Sequence, residues 1–319
     1  MNRELIAQSI LSVYKPGMVI VIYGQTATGK TKLSLEIAKH LPIEVISADS
    51  RQIYRYMDIG TDKVSADIRQ RIPHHQIDII DPDQTYTAWQ RQQDTYQIIH
   101  DIQQRGNIPV IVWGTWLYID TIVYNFNMGV AAPDYAARLQ MEQEELQSPG
   151  VLWTRLMDID PVEAARHHPS STRFIIRALE IYQQTGIRKS ELMRKQQPKY
   201  PLLMVWLWQD VAIGNQLIDK RLGEMLEIGL VDEVRSMLQR WYNQNSNALQ
   251  TIDYKQTVGY IRGDYTYDTY IELLQIANHQ LAKKQRTWFR RYKRDEELQL
   301  AIEGKPMVHY LHFYLPDYI

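Results

Sequence analysis

Residues 18–31 read MVIVIYGQTATGKT. The first six, Met18 to Tyr23, form a short apolar run rich in β-branched residues, the pattern of a strand buried on both faces. GQTATGKT then satisfies G-x-x-x-x-G-K-T, and Leu33, Leu35, Ile37, Ala38 and Leu41 follow at helical spacing. Strand, glycine loop and helix in that order are what a phosphate-cradling loop requires. Glycines let successive backbone N–H groups curl around an anion, and the helix N-terminus adds positive potential. Lys30 neutralises charge, and Thr31 is the residue suited to ligate Mg²⁺. The loop as a whole, Gly24, Gln25, Thr26, Ala27, Thr28, Gly29, Lys30 and Thr31, is the candidate phosphate site. It does not say which phosphate compound is held.

Outward from this loop, Ile43 to Ala48 reads as a second buried strand ending at Asp49. Ile108 to Val112 reads as a third, ending at Gly114-Thr115. Strands separated by helical stretches predict an α/β fold, a P-loop NTPase-like parallel sheet flanked by helices. Ligands of such sheets bind beyond the carboxyl ends of the strands, where the loop, Asp49 and Thr115 converge. From about residue 120 to 200 the pattern turns polar and helical, punctuated by Pro133, Pro149-Gly150, Pro161, His168-Pro169 and Gly186. This predicts a helical insertion domain over 120–200, between a first core part over 1–119 and a return to the core over 201–319. In the return, LLMVWLW at 202–208 reads as a strand. Leu222, Met225, Leu226, Gly229, Leu230, Val234 and Leu238 recur at spacings of three and four, which predicts one long helix. A last helix over about 268–294 ends in a basic run.

The chain has 319 residues, 36 Lys+Arg against 37 Asp+Glu, and no cysteine, which excludes disulfide scaffolds, zinc-thiolate sites and thiol catalysis. A net charge of −1 removes the simplest case for nucleic-acid binding and leaves only local basic patches. No run approaches the roughly 18 apolar residues of a membrane helix. The opening MNRELIAQSILSVY reads as an amphipathic helix rather than a signal peptide. A cytoplasmic protein, without membrane partners and monomeric, is the expectation.

Asp49 and Ser50 stand just past a strand end, with Arg51, Gln52 and Tyr54 following. A carboxylate there can hold magnesium, take a proton from a nucleophile, or simply cap a turn, and the last is the commonest use of a lone strand-end Asp. His74 and His75 are adjacent, so their side chains diverge, and a structural role is the better reading. In AKKQRTWFRRYKR, the cations Lys283, Lys284, Arg286, Arg290, Arg291, Lys293 and Arg294 interleave with Trp288, Phe289 and Tyr292. That composition suits phosphates and stacking on unpaired bases, or a solvated helix end.

The P-loop, then DSRQIYRYMDIGTDK, then IPHHQIDIIDPDQTYT, in this order and spacing, resembles the tRNA dimethylallyltransferases. GTWLYI at 114–119, DPVEAARHHPSSTRFIIRALEIYQQTG at 160–186, RLGEMLEIGLVDEVRSML at 221–238, IDYKQ at 252–256 and AKKQRTWFRR at 282–291 extend the likeness over roughly residues 18–292. The resemblance implies transfer of a dimethylallyl group from dimethylallyl diphosphate to N6 of the adenosine 3′-adjacent to the anticodon, with Mg²⁺. It implies that Arg221 contacts the diphosphate beside Lys30 and Thr31. Asp49 would accept the N6 hydrogen, and Thr115 would lie near the incoming base. For the tRNA anticodon stem-loop it implies Asp49, Ser50, Arg51, Gln52 and Thr115 at the loop bases. Arg173 and Arg177 would grip from the insertion, with Lys255 and the segment Lys283, Lys284, Gln285, Arg286, Trp288, Arg290 and Arg291. The target base would be flipped into the channel.

Against the family pattern, Trp113 replaces a usual glycine, Phe174 a frequent basic residue, Leu217 a usual arginine and Asp253 a usual glycine. Gln25 replaces a usual proline. Three other readings share parts of the motif set. A free adenine-nucleotide isopentenyltransferase needs neither the insertion nor the basic helix. A small-molecule kinase would use Asp49 as base. A divergent RNA-binding protein would keep the P-loop only for folding, yet retention of Lys30, Thr31, Asp49, Thr115 and Arg221 together speaks against it.

Overall fold

In the computed structural model, residues 3–112, 116–127, 131, 133–240, 242–292, 301–302 and 305–315 are described. Six strands make one sheet. They are β1 (Val19–Gly24), β2 (Ile43–Ser47), β3 (His74–His75), β4 (Ile108–Val112), β5 (Leu202–Trp208) and β8 (Val308–Tyr314). Their order is β3-β2-β4-β1-β5-β8, and every pairing is parallel. The expected α/β architecture is thus present. A short hairpin, β6 (Ala301–Ile302) with β7 (Lys305–Pro306), lies apart from the sheet.

β1 and β2 are buried along their whole lengths, which is why they read as unbroken apolar runs. On one face Ile20, Ile22, Val45, Val110, Leu203 and Val205 form a core with Ile6 and Ile10 of α1 (Arg3–Val13) and Leu33 and Ile37 of α2 (Lys30–Ile37). On the other face Tyr23 meets Phe289 and Tyr292 edge-on, with ring centroids 5.7 and 5.6 Å away. Phe289 closes α14 (Tyr267–Phe289), whose earlier turns join α11 (Val211–Ile228), α12 (Leu230–Gln239) and α13 (Tyr254–Arg262) in a second core around Leu222, Val234, Tyr254 and Leu274.

The single long helix expected across residues 222–238 is two helices. Gly229 adopts φ +114°, a left-handed conformation that ends α11 and starts α12. The three-and-four spacing survives the break because both helices turn their apolar sides to the same core. β3 and β8 were not anticipated.

By compactness the chain divides into two units, residues 1–87, 91–119 and 198–319 in one and residues 88–90 with 120–197 in the other. The smaller unit is helical. Its core of Met141, Leu152, Leu156, Ile175, Ile176 and Leu179 joins α6 (Tyr135–Gln147), α7 (Val151–Ile159) and α9 (Thr172–Thr185). A buried Glu180 ties it further, taking bonds from both nitrogens of the Arg138 fork, at 2.8 Å each, and from Arg177.

Candidate active site

β1 delivers the glycine loop at its carboxyl end. At Gly24 a Cβ would sit 2.2 Å from the Leu207 carbonyl oxygen of the neighbouring strand, so no other residue fits. Lys30 opens α2, and its ammonium donates to the carbonyls of Gly24 (3.0 Å) and Gln25 (2.8 Å). Thr28 closes the loop by a 2.8 Å bond to the Gln25 carbonyl. From behind, Gln285 Oε1 accepts from the Thr26 N–H at 2.8 Å, and Arg286 Nη1 donates to Gln25 Oε1 at 3.0 Å. The loop is therefore held by α14 as well as by its own turns.

The loop opens on a cavity of about 530 Å³. Thr26 to Thr31 line one side, Asp49, Arg51 and Gln52 another, and Leu217 and Arg221 of α11 a third. Burial, reinforced by nearby Arg221, pulls the Lys30 ammonium down to about 7, against the opposing pull of Asp49 and Asp62. Arg221 Nη1 lies 3.4 Å from Asp62 Oδ2 on the rim.

Asp49 sits where β2 ends. Its Oδ1 accepts from the Arg51 N–H at 2.8 Å, a local turn of the kind expected of a strand-end Asp. Among the described residues no donor reaches its Oδ2. Beneath the turn Arg91, only 2% exposed, donates to the Asp49 carbonyl at 3.1 Å and to the Ser47 carbonyl, and its guanidinium lies 4.5 Å over the Tyr118 ring. A buried guanidinium spent on the carbonyls of Ser47 and Asp49, either side of Ala48, fixes the direction in which Asp49 leaves the strand. Gln52 is anchored to Ser47 Oγ (2.7 Å) and the Thr61 carbonyl (3.0 Å).

His74 and His75 each make a contact close to the sheet edge, and His74 also lines the cavity. His75 Nε2 meets Glu44 Oε2 at 2.6 Å, and His74 Nδ1 meets the Ile72 carbonyl at 2.7 Å. Glu44 is buried, a condition that by itself raises a carboxyl. Bonds from Arg105, Asn107 and His75 outweigh it and bring Glu44 down to about 2.

The basic segment of α14 is divided by helix periodicity. Lys283, Lys284, Arg290 and Arg291 are exposed. Gln285 is buried and engaged with Thr26, so its expected contact with RNA is corrected to a contact with the loop. Phe289 and Tyr292 are also buried, against Tyr23, and offer no stacking surface. Trp288 is half-buried, with the Arg291 guanidinium 3.6 Å from its ring centroid. Lys255 is exposed on the first turn of α13. Ser50 is half-buried beside Asp49.

In the helical unit Arg173 is exposed, whereas Arg177 is engaged by Glu180 and by the Ala131 carbonyl at 2.9 Å. Phe174 is exposed and stacks on His167 at 5.0 Å. Thr115 and Trp113 lie outside the described residues, as do Lys293 and Arg294. Reading the sequence did not find Arg91 or Asp62. Arg91 carries no motif, and Asp62 stands inside GTDK, where its approach to Arg221 depends on the tertiary fold.

Residues 52–292 match a family model described as IPP transferase, and residues 17–71 match one described as Isopentenyl transferase. A tRNA dimethylallyltransferase of Thermotoga petrophila is 39% identical over 285 residues, covering 89% of this chain and 93% of that protein. The solved full-length tRNA isopentenylpyrophosphate transferase of Bacillus halodurans is similar at TM-score 0.65 and 34% identity, over 93% of this chain and 90% of that one. A eukaryotic dimethylallyltransferase caught acting on tRNA is similar at TM-score 0.76 and 28% identity, over 92% of this chain and 73% of that one.

Proposed function

The chain belongs to the IPP transferase family and is a tRNA-modifying prenyltransferase; from that premise we propose the chemistry of its site. The donor is dimethylallyl diphosphate, and the acceptor is N6 of the adenosine 3′-adjacent to the anticodon. The observation that carries this reading is one cavity that joins the phosphate loop, Lys30 and Arg221 with Asp49, whose Oδ2 no donor among the described residues reaches.

Diphosphate is the leaving group. The loop N–H groups, Lys30 and Arg221 would take up the charge that develops on it, and they are already in place, so little reorganisation opposes the step. Arg221 exchanges its long contact with Asp62 for the donor. The N6 amine is a poor nucleophile because its lone pair is delocalised into the ring, so alignment and a hydrogen-bond acceptor matter more than full deprotonation. Asp49 Oδ2 serves as that acceptor, and the amine hydrogen passes to it as the C–N bond forms and the C–O bond to diphosphate breaks.

Mg²⁺ fits the site as an ion shared between the donor and one protein hydroxyl. Among the described residues no cluster of three acidic or histidine side chains exists to cage an ion. The Thr31 hydroxyl is half-buried on the cavity wall and would hold the ion together with diphosphate oxygens, in keeping with the few protein ligands Mg²⁺ accepts. When bound, the ion neutralises charge on the departing diphosphate.

On the RNA side, Lys283, Lys284, Arg290, Arg291 and Lys255 are the exposed cations suited to backbone phosphates. No helix among the described residues is long and apolar enough to cross a membrane. The test is transfer of labelled dimethylallyl groups to an unmodified anticodon stem-loop, with free AMP and ATP as parallel acceptors. Label on the stem-loop supports the reading; label on the free nucleotides alone overturns it in favour of a free-nucleotide isopentenyltransferase.

A further inference from the structure

α1 (Arg3–Val13) precedes both segments that match a family model, which begin at residues 17 and 52, so the family likeness assigns it no role. Its placement is nevertheless fixed. Ile6, Ala7 and Ile10 are buried in one core with Leu33 and Ile37 of α2. Arg3 stands three, four and seven positions before them, so it continues the same stripe toward the helix N-terminus. Helical side chains lean in that direction, and a long one in the first turn reaches past the helix end.

What it reaches is the phosphate loop. At Gly29, whose φ is +75°, a Cβ would sit 2.8 Å from Arg3 Nη2, 3.3 Å from Nε and 3.4 Å from Cζ. The guanidinium therefore lies against the bare Cα of the residue that precedes Lys30. Glycine serves twice there, by its backbone conformation and by the room it leaves for Arg3. Arg3 is half-buried and lines the cavity together with Gly29, Lys30 and Thr31. Lys30 of α2 and Arg221 of α11 already bring positive charge to this cavity, and Arg3 brings more from a further element. A planar guanidinium can take two phosphate oxygens at once, and the packing of α1 holds this one beside a loop built for an anion.

We infer that Arg3 is a further diphosphate-binding residue: the N-terminal helix carries its guanidinium to the phosphate loop, where it takes up oxygens of the donor's diphosphate. The inference rests on the reading that the loop holds a diphosphate. It goes beyond that reading in giving α1 a part in the site.

The probe is inorganic diphosphate with Mg²⁺, titrated calorimetrically into the full chain across a salt series. Arg3→Met keeps a long, unbranched side chain against Gly29 and removes the charge. It should weaken diphosphate binding about tenfold and make it less sensitive to salt. Its melting temperature should stay within about 2 °C of the parent's, because the buried stripe of α1 is untouched. Arg3→Lys should keep the parent's salt sensitivity and lose only about threefold in affinity. In transfer assays Arg3→Met should raise KM for dimethylallyl diphosphate about tenfold and leave KM for the anticodon stem-loop within about twofold. Unchanged diphosphate affinity in Arg3→Met overturns the inference. So does a loss that is equal at low and high salt, the mark of a displaced loop rather than of a missing charge. A parent that binds diphosphate yet leaves the stem-loop unmodified overturns the functional reading and not this inference, whereas a parent that binds no diphosphate overturns both.

Discussion

Lys30 and Asp49 face one cavity in opposite chemical conditions. Lys30 is brought down to about 7 by burial and by Arg221, so the free enzyme gives up this proton far more readily than an ordinary lysine does. A bound diphosphate favours the ammonium. Donor binding should therefore take up a proton between about pH 7 and the ordinary lysine range near 10.4, and affinity should fall as pH rises through that window. Calorimetry in buffers of different ionisation enthalpy measures this uptake directly; binding without it above pH 7 would remove Lys30 from the diphosphate. Asp49→Asn, isosteric but a weak acceptor, should lower transfer by about a hundredfold or more while stem-loop affinity stays within about twofold. Filter binding beside the transfer assay separates the two, and equal loss in both would make Asp49 an RNA contact instead.

The elements show which parts of the fold were legible beforehand. β4 and β5 were read to the residue because a buried parallel strand is a continuous apolar run bounded by polar turns. β8 was missed since VHYLHFY at the sheet edge is only partly buried and lacks that signature. α14 was recognised as a helix, yet its aromatic residues were read as surface because cations surround them in sequence. In fact the positions of Gln285, Phe289 and Tyr292 form the inward stripe. That division makes a prediction on one helix. Replacing Lys284 and Arg291 should weaken stem-loop binding and flatten its salt dependence, by a slope of about one per lost phosphate contact. Gln285→Ala, which leaves the Thr26 N–H without its acceptor, should instead cost about 1–3 kcal/mol of stability and loosen donor binding, with the salt slope unchanged. Titrations across a salt series and melting curves check both.

At the scale of the whole molecule, a network centred on the buried Glu44 is among those that link stability to pH. Glu44 joins β2 to β3 through His75 and to the segment entering β4 through Arg105 and Asn107. Its pKa, brought down to about 2, means that it contributes stability above the ordinary carboxyl range and loses it as pH falls from about 4.5 toward 2. Denaturant melts of the parent should lose up to about 3 kcal/mol more across that interval than melts of Glu44→Gln, since other paired carboxylates titrate there in both. The site as a whole was only partly legible. The glycine loop follows from spacing and Asp49 from its place past a strand, because both depend on local order along the chain. Arg221 came only through family resemblance, and Arg91 and Asp62 depend on partners 42 and 159 positions away. The central claim is that these groups act together to prenylate the adenosine beside a tRNA anticodon. Its most direct test is mass spectrometry of an unmodified anticodon stem-loop after incubation with the protein, dimethylallyl diphosphate and Mg²⁺. One added C₅H₈ unit on N6 of that adenosine, lost in Asp49→Asn, is the predicted result; an unmodified stem-loop from a folded protein that binds both substrates would contradict it.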